Sequence, residues 1–147
     1  MTVKNETNDE AAIRELIDRF AKAFRAKDVD GCMAVFAPEI VSFDILPPLQ
    51  AVGADVFVKH WQEFFGSYQG PIDVEFPDVR IAAGDDVAFS YCLHRIAGRL
   101  KNGDKTDFWL RWTACWRKAS GKWLIVHEQV SVPVDLGSGT ALMDLKP

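Results

Sequence analysis

The sequence predicts an α+β fold in which a curved antiparallel sheet wraps around N-terminal helices. Three observations carry that reading. Apolar residues recur at helical spacing up to about residue 65, and the pattern becomes strand-like after Pro71. Two of the longest strand candidates flank Asn102-Gly103, a strong short hairpin signal. Helices come first and a meander follows, which is not the alternation of a parallel-sheet protein.

Thr7-Asn8-Asp9-Glu10 reads as a capping box, with Thr at the cap and Glu three residues on. Behind it Ile13, Leu16, Ile17, Phe20 and Phe24 form one face of a helix of about five turns. Asp30 is expected to cap a short helix through Phe36 that Pro38 stops. Ile40 to Phe43 reads as a strand and Asp44 to Gly53, with Pro47-Pro48, as a loop. A third helix spans about Ala54 to Phe65, with Phe57, Trp61, Phe64 and Phe65 as its buried stripe and Gly66 as its stop. Short strands follow at Ile72 to Phe76 and Asp78 to Ala83, then long ones at Val87 to Leu100, Lys105 to Lys118 and Lys122 to Val132. The tail from Pro133 to Pro147 is expected to lie across the surface.

The chain of 147 residues fits one domain, 1–147, with its core at about 8–133 and a tail at 134–147. Its 48% apolar and 26% charged residues are globular values. A net charge of -4 without a run of Lys or Arg argues against nucleic acid and against an anionic membrane surface as partners. The first residues carry no apolar stretch of a signal peptide, and no apolar run approaches the roughly 20 residues that cross a bilayer. Cys32, Cys92 and Cys115 are odd in number and lack C-x-x-C spacing, which predicts reduced thiols and a cytoplasmic location.

Turn chemistry predicts which side chains share a face. A two-residue Asn102-Gly103 turn pairs Lys101 with Asp104 and hence His94 with Arg111; a three-residue Ala119-Ser120-Gly121 loop pairs Lys118 with Lys122 and hence Arg111 with Gln129. The expected inner row is His94, Arg111 and Gln129, flanked by Trp109, Thr113, His127 and Ser131. Phe89, Tyr91, Leu93, Leu110, Trp112 and Trp116 would then face outward, a patch apolar enough to call for a second subunit. A slip of one residue in the second hairpin would exchange His127 for Glu128.

An Arg and two His facing Phe and Trp need a carboxylate, a ligand or water, since an isolated buried charge costs several kcal/mol. Asp44, where the first strand enters the Pro-rich loop, is the internal candidate. His94 and His127 could move protons, and Trp61 and Trp109 could line the pocket; His60 reads as a surface residue. The His and Cys spacings predict no metal site, and neither a nucleophile elbow nor a phosphate-cradling glycine loop is present.

Phe43-Asp44-Ile45-Leu46-Pro47-Pro48, Asp107-Phe108-Trp109-Leu110-Arg111-Trp112-Thr113, Trp116-Arg117-Lys118, and Val126-His127-Glu128-Gln129-Val130-Ser131-Val132-Pro133 together resemble the SnoaL-like, ketosteroid isomerase-related branch of the nuclear transport factor 2-like superfamily. The resemblance runs from about Asn8 to Pro133. It implies a cone with a pocket inside and a homodimer through the sheet's outer face. Asp44 falls where ketosteroid isomerases place the general base, which works there beside an oxyanion hole of a Tyr and a protonated Asp. Phe20 stands where that Tyr would be and Thr113 where the second acid would be, which argues against true steroid isomerisation.

The reading that follows is a protein binding a small organic molecule in its cone, working without a cofactor as an isomerase, cyclase or dehydratase by proton transfer next to a carbonyl. Asp44 would be the base and Arg111 with His94 or His127 the electrophilic partners, while Phe20, Trp61, Trp109, Thr113 and Gln129 would contact the ligand. The alternative is a non-catalytic ligand-binding or dimerising association module.

Overall fold

Helix α1, Asn8–Arg25, opens with the capping box: the Glu10 N–H donates to the Thr7 hydroxyl and the Thr7 N–H to the Glu10 carboxylate, both at 3.1 Å. Its buried face is Ile13, Ile17, Phe20 and Phe24, the stripe expected from helical spacing. This is the computed structural model of the chain, and it describes residues 5–147. Helix α2, Val29–Met33, is capped by Asp28 rather than Asp30, the Asp28 carboxylate accepting from the Gly31 N–H at 3.0 Å. It ends at Met33 instead of Phe36. Phe36 already belongs to strand β1, Phe36–Phe43, and Pro38 sits where the pairing of β1 is irregular, a position that requires no ladder N–H.

Strand β2, Ala51–Val52, lies inside the segment expected to be loop and pairs with Val41 and Ser42. Helix α3, Ala54–Gly66, follows, and then β3 (Tyr68–Glu75), β4 (Arg80–Ala83), β5 (Val87–Leu100), β6 (Lys105–Ala119) and β7 (Lys122–Ser131). The main sheet runs β2-β1-β7-β6-β5-β3, with β4 also on β5. It is antiparallel except where β1 pairs parallel with β7. In the tail β8 (Val134–Asp135) and β9 (Thr140–Ala141) form a small hairpin, and the Leu142 N–H donates to the Pro133 carbonyl at 2.9 Å.

Two turns correct the expected register. Leu100 pairs across to Asp104 through a three-residue loop in which Gly103 alone has positive φ, at 94°. The two-residue Asn102-Gly103 turn would have needed positive φ at both positions. Every β6 residue is therefore displaced by one relative to β5, and His94 faces Leu110, not Arg111. The second hairpin closes instead with two residues, Ser120 (φ 51°) and Gly121 (φ 76°), between Ala119 and Lys122. A bulge between Cys115 and Trp116 then shifts β7 once more at Val126, so that Thr113 pairs with Gln129 and Arg111 with Ser131.

The consequence is a reversal on β6 and on the end of β7. Leu110, Trp112, Ala114 and Trp116 are buried against the helices, whereas Arg111 and Thr113 are exposed on the outer face. The inner face of β5 is as expected, with His94 inward and Phe89, Tyr91 and Leu93 outward. Apolar burial dictates the choice on β6, because sealing Leu110, Trp112 and Trp116 from water is worth about 1.5–3 kcal/mol for each large side chain.

Candidate functional site

Between the helices and the sheet lies a cavity of about 500 Å³, within the range of small-molecule sites. Phe20 and Phe24 from α1, Trp61 and Phe64 from α3, and Phe76 and Trp112 from the sheet side make its walls. These rings interlock: Phe20 stacks on Trp112 with centroids 5.6 Å apart, and Trp61 meets Phe24 edge-on at 5.0 Å. The tail hairpin reaches it too, with Ala141 and Met143 in the lining.

Polar groups enter this aromatic box from three directions. Asp44 follows β1 in the same parity as Ile40 and Ser42, and its carboxylate accepts the Ile45 N–H at 2.6 Å. Burial raises its proton affinity above the usual carboxylate range, against the lowering effect of the Ile45 N–H, His60 and the Leu46 N–H. His60, expected at the surface, lines the cavity from α3. His94 is buried and lies parallel to Phe76, and burial lowers its pKa to about 4, so the ring is neutral at pH 7.

Glu128 is the inward residue of β7. Its Oε1 accepts from the Ser42 hydroxyl at 3.0 Å and its Oε2 from the Trp112 indole N–H at 2.8 Å. Burial, then the nearby Asp44 charge, pushes its pKa up to about 7 in spite of those two donors. Among the described residues two buried nitrogens have no hydrogen-bond partner: Trp61 Nε1 and His94 Nδ1. Among the described residues no trio of His, Cys, Asp or Glu converges as metal ligands would.

The predicted site residues divide accordingly. Asp44, His94, Phe20 and Trp61 line one cavity. Arg111, Trp109 and Thr113 line a groove on the outer face with Tyr91 and Leu93, and the Arg111 Nε donates to the Ser131 hydroxyl at 3.1 Å. Gln129 is exposed, and His127 turns away from the cavity to place Nδ1 2.7 Å from the Val41 carbonyl oxygen. Among the described residues no guanidinium meets Asp44, because the β6 register turns Arg111 to the other side of the sheet. Glu128 was missed because the extra residue at Val126 reverses the alternation after Ile125; the one-residue alternative noted for the second hairpin was the signal that could have found it.

A family model described as SnoaL-like domain matches residues 13–135. Among solved structures, an NTF2-like protein of unknown function from Pseudomonas putida KT2440 is 33% identical, with a TM-score of 0.89 over 98% of this chain and 100% of that one. A ketosteroid isomerase-like protein from Erwinia carotovora atroseptica is 22% identical, with a TM-score of 0.73 over 85% of this chain and 97% of that one. A protein from Novosphingobium aromaticivorans DSM 12444, provisionally named scytalone dehydratase, is 14% identical, with a TM-score of 0.74 over 84% and 83%. The last two likenesses are of fold. No curated protein matches the sequence. Among the described residues no helix is long and apolar enough to cross a membrane.

Proposed function

The chain belongs to the SnoaL-like family of the nuclear transport factor 2-like superfamily, and from that premise we propose that it moves a proton next to the carbonyl of a small organic substrate, as an isomerase or dehydratase. One observation carries the reading: a half-buried carboxylate, Asp44, shares an aromatic cavity with two nitrogens that have no protein partner, on Trp61 and His94. Asp44 takes the proton from the carbon beside the carbonyl. The C–H electron pair forms the new C=C bond, and the carbonyl π pair moves onto oxygen. The Trp61 N–H donates to that oxygen, and neutral His94 with its proton on Nδ1 is the second donor. Asp44 then returns the proton to another carbon of the conjugated system, which isomerises it, or to a departing hydroxyl, which dehydrates it.

The test is hydrogen exchange at carbon. A panel of aryl and alicyclic ketones is incubated in D2O with the wild type and with Asp44→Asn, and loss of the proton signal beside the carbonyl is followed by NMR. Exchange that depends on the wild type and falls to background in Asp44→Asn supports the reading. Equal exchange in both, or none above background across the panel, overturns it. Ketones that bind without exchanging would make the protein a ligand-binding module.

The outer sheet face supports a second proposal, a homodimer. Val87, Phe89, Tyr91 and Leu93 leave 41–56% of their surfaces exposed on one strand. A second copy of the same face covers such a patch with symmetry alone. Trp112 and Trp116, expected in that interface, are in the core instead.

A further inference from the structure

Glu128 is a carboxyl where an amide would satisfy the same neighbours. A Gln side chain could accept from the Trp112 N–H and donate its own N–H to the Ser42 oxygen; what a carboxyl adds is a second protonation state. Ser42 lies directly opposite Glu128 on the parallel strand, and Asp44 lies two residues further along that strand, in the same parity. Both carboxyls line the one cavity, whose lining contains no Lys or Arg among the described residues. The other titratable groups of that lining are His60 and Glu63 on α3 and His94 on β5. Two carboxylates in an apolar box without a cation cannot both ionise freely, because each charge raises the cost of the other.

We infer that Glu128 is a positioning residue acting through Asp44: anchored by Ser42 and Trp112 beside the base, it holds the second proton of a two-carboxyl site and so sets the proton affinity of Asp44. The inference rests on Asp44 being the base of the proposed reaction, but its first test does not. With Glu128 protonated, the cavity carries a single negative charge, on Asp44. Once Glu128 ionises, Asp44 sits beside a like charge and binds its own proton more tightly. The base is thus adjusted by a neighbour whose two oxygens are each held by a protein donor.

Carboxyl titration by ¹³C NMR on the full chain, labelled at Asp and Glu, reads this directly. Wild type is expected to show a step near pH 7 sensed by both the Glu128 and the Asp44 carbons. In Glu128→Gln that step is absent and Asp44 titrates once, at its lower wild-type step, because Gln and protonated Glu128 are both neutral. Ser42→Ala keeps the carboxyl and removes one donor, so the upper step moves up by about one pH unit. An Asp44 carbon that senses no upper step in wild type or still senses one in Glu128→Gln, or an upper step unmoved in Ser42→Ala, overturns the inference. The pH profile of deuterium exchange supplies the link to chemistry: an inflection near pH 7 in wild type, lost in Glu128→Gln. Coupled titration without exchange refutes Asp44 as base and upholds the coupling. Exchange with uncoupled titration does the reverse.

Discussion

His94 lies flat on Phe76, with ring centroids 4.8 Å apart and planes within 2° of parallel. The stack removes the imidazole from water, and burial lowers its pKa from 6.5 to about 4. The unfolded chain therefore takes up a proton at this residue before the native state does. Stability from this group is complete above pH 6.5 and declines as pH falls toward 4, by roughly 3 kcal/mol in all. His94→Leu should lose that acid sensitivity. Urea denaturation of both proteins at pH 7 and pH 4 should show the variant gaining on wild type at the lower pH; an unchanged difference would mean that the ring is solvated.

Glu128 has the opposite sign. Its native pKa is raised from 4.5 to about 7, so the native state holds a proton that the unfolded chain has already released. Its contribution is complete below pH 4.5 and is lost as pH rises through 7, again by roughly 3 kcal/mol. Between pH 4.5 and 6.5 the two groups cancel, one proton held by the native state against one held by the unfolded state. Glu128→Gln should therefore gain on wild type between pH 4.5 and pH 8, measured by the same denaturation.

Gly98 is required by packing. A Cβ there would come within 2.8 Å of the Tyr68 ring, which is buried and tied through its hydroxyl to Thr106 at 3.0 Å. Gly98→Ala should cost about 1–3 kcal/mol as the ring is displaced. Thermal unfolding at pH 7 measures it, and a cost near zero would show that β3 yields easily.

The outer face gives a further prediction. Sedimentation of wild type should report about twice the 16.5 kDa chain mass. Tyr91→Glu should halve that mass without unfolding the protein, because Tyr91 points away from the core. Trp112→Glu should instead destroy the fold, since it places a charge in the core where Trp112 is 3% exposed. A wild-type monomer at micromolar concentration would end the dimer proposal.

The helices and the apolar stripes were legible because Thr7, Glu10, Phe20 and Trp61 act locally, through a cap or a helical period. Asp44 was legible as the residue that ends its strand before a Pro-rich loop. The facing of β6 was not, because Asn102-Gly103 suits both a two-residue turn and the last two positions of a three-residue loop, and the two differ in the parity of every later side chain. Apolar pattern alone favoured the true answer: Leu110, Trp112, Ala114 and Trp116 alternate without a charge, while Arg111 and Arg117 share the other side. Strand β2 escaped because two residues carry no period at all.

The bulge at Val126 divides β7 between two alternative readings of the same letters. In one, Glu128 and Val130 are inside; in the other, His127, Gln129 and Ser131 are. Both present polar groups to the cavity, so hydrophobicity discriminates between them only weakly. What differs is the welcome inside: Ser42 and Trp112 offer Glu128 two donors at 3.0 and 2.8 Å. Those donors work as a registration mark, aligning the last long strand before any ligand arrives. Removing both would leave β7 free to be printed one letter out of place, with a histidine where the acid belongs.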